Sequence, residues 1–398
     1  MAQVRDVVIV GYLRSAFSRS SPKQPEKDAF NDLRADDLGA LVLKGLIKQT
    51  GIKPASIDEV IVGAARATGE QMTLGGRLVT FLAELPVSVP AHFVDRTCGA
   101  SMTAIHNGAL AIMSGYSDVV MSVGIEQMTH VPLVGDPAII NPLFYYDSRF
   151  KDIDIEVTLS VGYTADKLAK FSGINREDMD IWALRSHRLA GKAVKEGFFK
   201  DEILPVEGTT PDGKKIVVAT DQTVRADITP EQLQKLKPIY GEDGIVTAGN
   251  ASPLNSGATA VLLMSREKAK EVGLKPMASI ISMGWAGVDP TMMGMAAVPA
   301  AYKALEAAKL SVKDIDFWEI NEAFAVVTLY AIRELGIDAE KVNAKGGAIA
   351  IGHPVGASGN RIVGTLARIL NKNGGKYGVA TMGCGGGQGV ATVIKNEL

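Results

Sequence analysis

The strongest constraint on this chain is that it carries two copies of one pattern. The segment from Ile52 to Ile61, with Ile57 and Asp58 leading into an apolar β-branched run, has a counterpart from Leu310 to Glu319, where Ile315 and Asp316 stand in the same places. Further on, Gly99, Ala100 and Ser101 correspond to Gly356, Ala357 and Ser358, at the same offset to within one residue. In both copies this glycine step opens a helical pattern that runs into a strand (Val119–Val123, Val379–Met382) followed by glycine. Self-similarity at a fixed offset marks a duplicated unit. The division falls into an N-terminal half, residues 1–268, and a C-terminal half, residues 269–398. The first half is longer because of residues from about 125 to 245, a polar, turn-rich stretch with Pro132, Pro137, Pro142, Pro205 and Pro211 that reads as an inserted loop domain.

Both halves alternate strand and helix. The apolar runs Val7–Val10, Val60–Val62, Val119–Val123 and Val379–Met382 predict strands. Asp36 to Lys48, Ser101 to Ser114, Pro299 to Ala308 and Asn360 to Asn371 carry apolar residues at three- and four-residue spacing and predict helices. Continuously apolar strands between helices imply an α/β fold with sheets covered on both faces. A pseudo-twofold between the halves would set the turn at Cys98 opposite the turn at His353.

Charge and composition narrow the function. A net charge of −2 provides no bulk positive field to recruit nucleic acid. No uncharged apolar run approaches the roughly 18 residues of a membrane helix. A strand-like run begins within the first ten residues without the pattern of a secretory leader, so a cytoplasmic location is expected. The only cysteines, Cys98 and Cys384, are too few for a disulfide framework. By count alone they read as two buried structural thiols.

Their neighbourhoods say otherwise. Cys98 lies between a strand-like segment and a helix start, where the helix dipole and free N–H groups lower a thiol pKa from about 8.5 and offer donors to an oxyanion. A packed cysteine at a helix start is the competing reading. His353, in a glycine-rich run from Gly346 to Gly359, is set before the second helix start to take a proton from a thiol, or to stabilise the turn. Cys384 ends a strand and enters Gly385, Gly386 and Gly387, a run that permits close approach and an N–H cluster for an enolate or oxyanion. A plain glycine turn around a buried thiol is the alternative there, while a dinucleotide loop fails because Gln388 stands where a glycine is required. Asn321, ahead of Glu322, Ala323 and Phe324, would hold a water or thioester oxygen, or cap the following helix. His92, His106, His130 and His187 read as surface or core-edge residues. No cluster has metal-ligand spacing.

Taken together, these segments resemble the thiolases over nearly the whole chain. The Gly346–Arg361 run with Cys384 and its three glycines carries most of the specificity, and the order Cys98, Asn321, His353, Cys384 matches the family. The resemblance implies a duplicated fold, two βαβαβ-type halves forming a layered α/β/α/β/α core with an inserted loop domain. It implies that Cys98 takes the acyl group, His353 activates it, and Cys384 exchanges the proton on the substrate α-carbon. Asn321 would hold a water that binds one thioester oxygen with the histidine, and the N–H groups of Cys98 and Gly386 would form a second oxyanion hole. Val161 to Ala165 and Ser172 to Asp178 look like the family's loop-domain helices. Arg225, Tyr240 and Ser252 fall where thiolases contact the nucleotide and pantetheine of coenzyme A, the co-substrate; no permanently bound cofactor is implied. A homodimer or homotetramer, and a β-oxidation multienzyme partner, follow from the same resemblance.

The chain departs from the family in three places. Asp95 stands where asparagine is usual, Ser256–Gly257 where the family has Asp-Gly, and Ala296–Ala297 follow Met293–Gly294 where Gly-Pro is typical. The last stretch would line the acyl pocket, so chain-length preference stays open. The run Glu126 to Pro132 is similar to bacterial fatty-acid-degrading thiolases. Related condensing enzymes usually replace the second cysteine, and an acyl-CoA or lipid carrier has no need of all four groups, so both alternatives sit poorly with this set.

Overall fold

The first strand is apolar and buried on both faces, and its two faces sort the molecule into layers. The computed structural model describes residues 4–72, 74–132 and 140–398, so Pro137 lies outside the described residues. The principal elements of the first half are β1 (Val7–Ser15), α1 (Ala35–Thr50), β2 (Glu59–Gly63), β3 (Ala91–Val94), α2 (Ala100–Met113) and β4 (Val119–Gln127). Then come α3 (Val161–Ser172) and α4 (Arg176–Lys195), and β5 (Asn255–Ser265) returns to the sheet. The second half comprises β6 (Ala278–Gly287), α5 (Ala297–Ala308), β7 (Phe317–Ile320), α6 (Ala325–Leu335), α7 (Ser358–Asn373), β8 (Tyr377–Cys384) and β9 (Gln388–Asn396).

The strand order β7-β8-β9-β6-β1-β5-β4-β2-β3 is symmetric about the antiparallel contact of β6 with β1, where Val8 faces Ser279. In each half the two strands flanking the helix crossover run parallel (β2 with β4, β7 with β8), and the next strand inward is antiparallel. Even β3 has an echo, a single parallel bridge from Trp318 to Val342. The repeated aspartates explain why the pattern survives in the sequence. Asp58 accepts the N–H groups of Asp118 and Val119 at 2.7 and 2.9 Å, and Asp316 accepts those of Lys376 and Tyr377 at 2.7 and 3.0 Å. Each caps the N-terminal end of the equivalent strand.

Successive residues of a strand point to opposite faces. Val8 and Val10 join an outer cluster with Leu43 and Leu46 of α1, whereas Val7, Ile9 and Tyr12 join a central one with Ile105 of α2 and Ile362 and Leu366 of α7. A third cluster packs α3 to α6 against Trp318, Val379 and Val393. The result is a five-layer α/β/α/β/α core with α2 and α7 in the middle, each fully buried Leu or Ile there contributing about 1.5–3 kcal/mol. The two central helices meet at their starts. Asn360 N donates to Ser101 Oγ at 3.0 Å, and Gly359 lies so close that a methyl on it would stand 2.3 Å from Met102 N.

The stretch between β4 and β5 is more ordered than its prolines imply. It holds the long helices α3 and α4, the latter opened by a reciprocal cap between Asn175 and Asp178. Ile203 and Leu204 pair in parallel with Arg14 and Ser15 of β1. Buried Arg14 ties this stretch further to the core through Glu202 at 2.8 Å and Asp221 at 2.7 Å.

Candidate active site

Cys98 occupies a single 3-10 turn, Thr97–Gly99, that leads directly into α2. Thr97 holds φ +44, a left-handed conformation that strains a β-branched residue by on the order of 1–3 kcal/mol. The Asp95 carboxylate supports it by accepting Thr97 N–H at 3.0 Å, which gives the unusual aspartate a local role. The thiol itself differs from the sequence expectation. Burial pushes it up, to about 11, and the N–H groups that act on it lower it by less than burial raises it. Local helix geometry favours a thiolate, but removal from water dominates. Cys98 therefore rests as a thiol and needs a base.

That base is available in the right tautomer. His353 is buried and held by its backbone, with N–H donated to Asn255 Oδ1 at 2.8 Å and a bridge to Leu254. Ser358 Oγ donates to Pro354 O at 2.9 Å, so toward His353 Nδ1 at 2.6 Å it must accept. The proton is thereby assigned to Nδ1, leaving a lone pair at Nε2. Burial, aided by Arg361, holds the imidazole down to about 3, so it is neutral near pH 7. Asn321 Nδ2 lies 3.4 Å from Nε2, and Asn321 Oδ1 is buried with no partner among the described residues. The capping alternative for Asn321 does not hold, because α6 begins four residues later, after Phe324, with no side-chain cap.

Cys384 is the last residue of β8 and is fully buried in the central cluster with Cys98. Burial, then the Cys98 charge, pushes its thiol up. The two thiols are cross-wired: the Gly385 N–H acts on Cys98 and the Gly99 N–H on Cys384, each favouring the thiolate. They adjoin so closely that a methyl on Gly99 would stand 2.7 Å from Cys384 Sγ. Gly386 follows with φ +76, which suits glycine and turns the hairpin toward β9. The Val355–Ala357 turn after His353 packs on the Thr97–Gly99 turn, the meeting of repeated turns that the duplication predicted.

Of the three remaining candidates, two lie against the segment that follows Asn321. Ser252 donates its N–H and its hydroxyl to Ala323 O at 3.0 and 3.1 Å, and the Tyr240 ring stands edge-on to Phe324 at 6.4 Å between centroids. Arg225 is placed apart, its backbone N–H donated to His187 Nδ1 at 3.1 Å; among the described residues its guanidinium pairs with no carboxylate. His92 and His130 pair with Glu59 and Glu70 near the surface. His106 instead lies wholly inside, at 2.8 Å from Thr392 Oγ1 and edge-on to Trp285, because it sits on the buried face of the central helix α2. Among the described residues no cluster of three His, Cys, Asp or Glu could hold a metal, and no helix is long and apolar enough to cross a membrane.

Four supporting residues were not singled out from sequence. Ser358 and Asn255 orient His353, as above. Glu322 accepts from Trp182, Ser186, Asn343 and Ile349 at 2.7 to 3.1 Å and so anchors the segment that leads into Gly352. Glu126 is buried behind the two turns. Glu322 had a visible signal in its place next to Asn321, Ser358 in the repeated Gly-Ala-Ser step, and Glu126 at the head of the run to Pro132.

Residues 7–267 match the family model for the thiolase N-terminal domain, and residues 274–396 match that for the thiolase C-terminal domain. A 3-ketoacyl-CoA thiolase of Marinobacter nauticus is 42% identical over 394 residues, covering 98% of both chains. Human mitochondrial 3-ketoacyl-CoA thiolase superposes with a TM-score of 0.89 at 35% identity over the full length of both chains, and its complex with CoA gives 0.88. The acetyl-CoA acetyltransferase of Bacillus anthracis superposes with a TM-score of 0.87 at 36% identity, again over both full chains.

Proposed function

The chain belongs to the thiolase family, and from that membership we propose that it cleaves 3-oxoacyl-CoA to acetyl-CoA and a shortened acyl-CoA through an acyl-enzyme on Cys98. The observation that carries the assignment of roles is the buried pair of thiols, with the Cys98 turn met by the turn that follows His353, a neutral imidazole with its lone pair at Nε2. Cys98 Sγ attacks the keto carbon while its proton passes to His353. The bond between the keto carbon and the α-carbon breaks, and the acetyl-CoA enolate takes its proton from Cys384. CoA then gives its thiol proton to the Cys384 thiolate and attacks the acyl-Cys98; the Cys98 sulfur leaves, recovers its proton from His353, and the shortened acyl-CoA departs. Reversal of these steps is the Claisen condensation of acetyl-CoA.

Each step develops an oxyanion, and two donor sets suit them. His353 with a water on Asn321 serves the thioester oxygen of the enolate, and the N–H groups of Cys98 and Gly386 serve the tetrahedral oxygen on the acyl carbon. Arg225, whose guanidinium pairs with no carboxylate among the described residues, suits the phosphates of CoA, with Tyr240 and Ser252 along the pantetheine. The degradative direction agrees with the names of the curated relatives. The division into residues 1–268 and 269–398 with a loop domain at about 125–245, a homodimer or homotetramer, a β-oxidation multienzyme partner and a cytoplasmic location complete the proposal. Incubating the protein with a 3-oxoacyl-CoA and digesting it is expected to give a Cys98 peptide heavier by one acyl group; an unmodified peptide, under conditions where product forms, rejects the mechanism.

A further inference from the structure

Glu126 lies next to the end of β4, and the steps above make no use of it. Its side chain is fully buried, and Oε2 accepts two backbone N–H groups, from Ala65 at 3.0 Å and from Gly356 at 2.7 Å. Ala65 follows β2 in the first half of the chain. Gly356 sits in the turn between His353 and Ser358, in the second. A single oxygen therefore fastens the two halves together where the His353 turn lies on the Cys98 turn. Behind it, Glu126 is held in the sheet by pairing with Gly257 of β5. The other oxygen, Oε1, is buried and has no hydrogen-bond partner among the described residues.

We propose that Glu126 is a positioning residue whose carboxylate holds the His353 turn against the Cys98 turn and stands as a buried charge behind the nucleophile. This rests on the reading of Cys98 as the nucleophile. The titratable groups that face the carboxyl are Asp95 and Cys98, both on the nucleophile segment. Gln71 presents an uncharged amide, and Arg66, next to Ala65, is directed elsewhere, donating to Pro132 O at 2.6 Å. Burial moves the Glu126 carboxyl up, to about 7, against the pull of its two N–H donors. It is thus charged on the alkaline side of neutrality, well before Cys98 ionises.

The test compares Glu126→Ala and Glu126→Gln in the full chain by cleavage kinetics and by the pH profile of Cys98 alkylation with iodoacetamide. Alanine removes the acceptor and is expected to lower kcat by about tenfold or more with KM little changed. Glutamine keeps an oxygen for both N–H groups and should recover most of kcat. It lacks the charge, however, so alkylation near pH 8.5 should quicken, by roughly tenfold for each unit that the Cys98 pKa falls. A merely structural residue would leave that profile in place. A glutamine profile that superimposes on the wild type, or alanine at wild-type kcat, overturns the proposal; should alanine fail to fold, the glutamine profile decides. Absence of any acyl adduct on Cys98 in the wild type overturns instead the reading on which this rests.

Discussion

Replacing Ser358 by alanine probes the site most directly, because one hydroxyl both accepts from His353 Nδ1 at 2.6 Å and donates to Pro354 O at 2.9 Å. The residue is fully buried, so nothing from solvent takes over either bond. An Nδ1–H left without an acceptor costs about 1–3 kcal/mol. The imidazole relieves that cost by carrying its proton on Nε2, which ends its use as a base toward Cys98. Since 1.36 kcal/mol is a tenfold change in rate, kcat should fall on the order of ten- to a hundredfold. KM should stay within about twofold, because the hydroxyl is turned toward His353 Nδ1 and away from the Nε2 side where the substrate reacts. Initial rates of 3-oxoacyl-CoA cleavage at saturation, with circular dichroism to establish folding, make the measurement. A folded Ser358→Ala protein with kcat within twofold of wild type would refute the tautomer argument.

Two further outcomes are expected. Cys384→Ser should slow exchange of the substrate α-proton much more than it slows acylation of Cys98, followed by isotope exchange and by adduct mass; equal losses would remove the proton-handling role. Across 3-oxoacyl-CoA substrates of rising chain length, turnover should extend well beyond acetoacetyl-CoA, and activity confined to that shortest substrate would reject the degradative direction.

The sequence made legible those parts of the molecule in which backbone geometry dictates residue type. Cys98, His353 and Cys384 stand in glycine-rich turns because those turns meet other backbone at contact distance, and this density of glycine is visible without coordinates. The duplication was legible because Asp58 and Asp316 perform the same hydrogen-bonding task twice. The role of Glu126 was not, since its partner Gly356 is 230 residues away and its own strand reads as one more apolar run. Asn321 looked like a cap because a helix start was near, and only the fold brings His353 within its reach. The direction of the Cys98 shift was misjudged for a related reason. A helix dipole is local and can be read from a segment, whereas burial is the sum of everything packed around it.

The contact between the starts of α2 and α7 has a consequence for how such a chain can diverge. Gly359 rests on the backbone of Met102, and Gly356 on that of Ala64, with no room for one methyl at either place. Backbone touching backbone has no rotamers with which to absorb a change, so the seam acts as a fixed datum against which both turns are measured. The two copies carry a cysteine in one turn and a histidine in the other. At the seam they remain bound to a common gauge, and substrate preference is free to drift only in walls that do not rest on it.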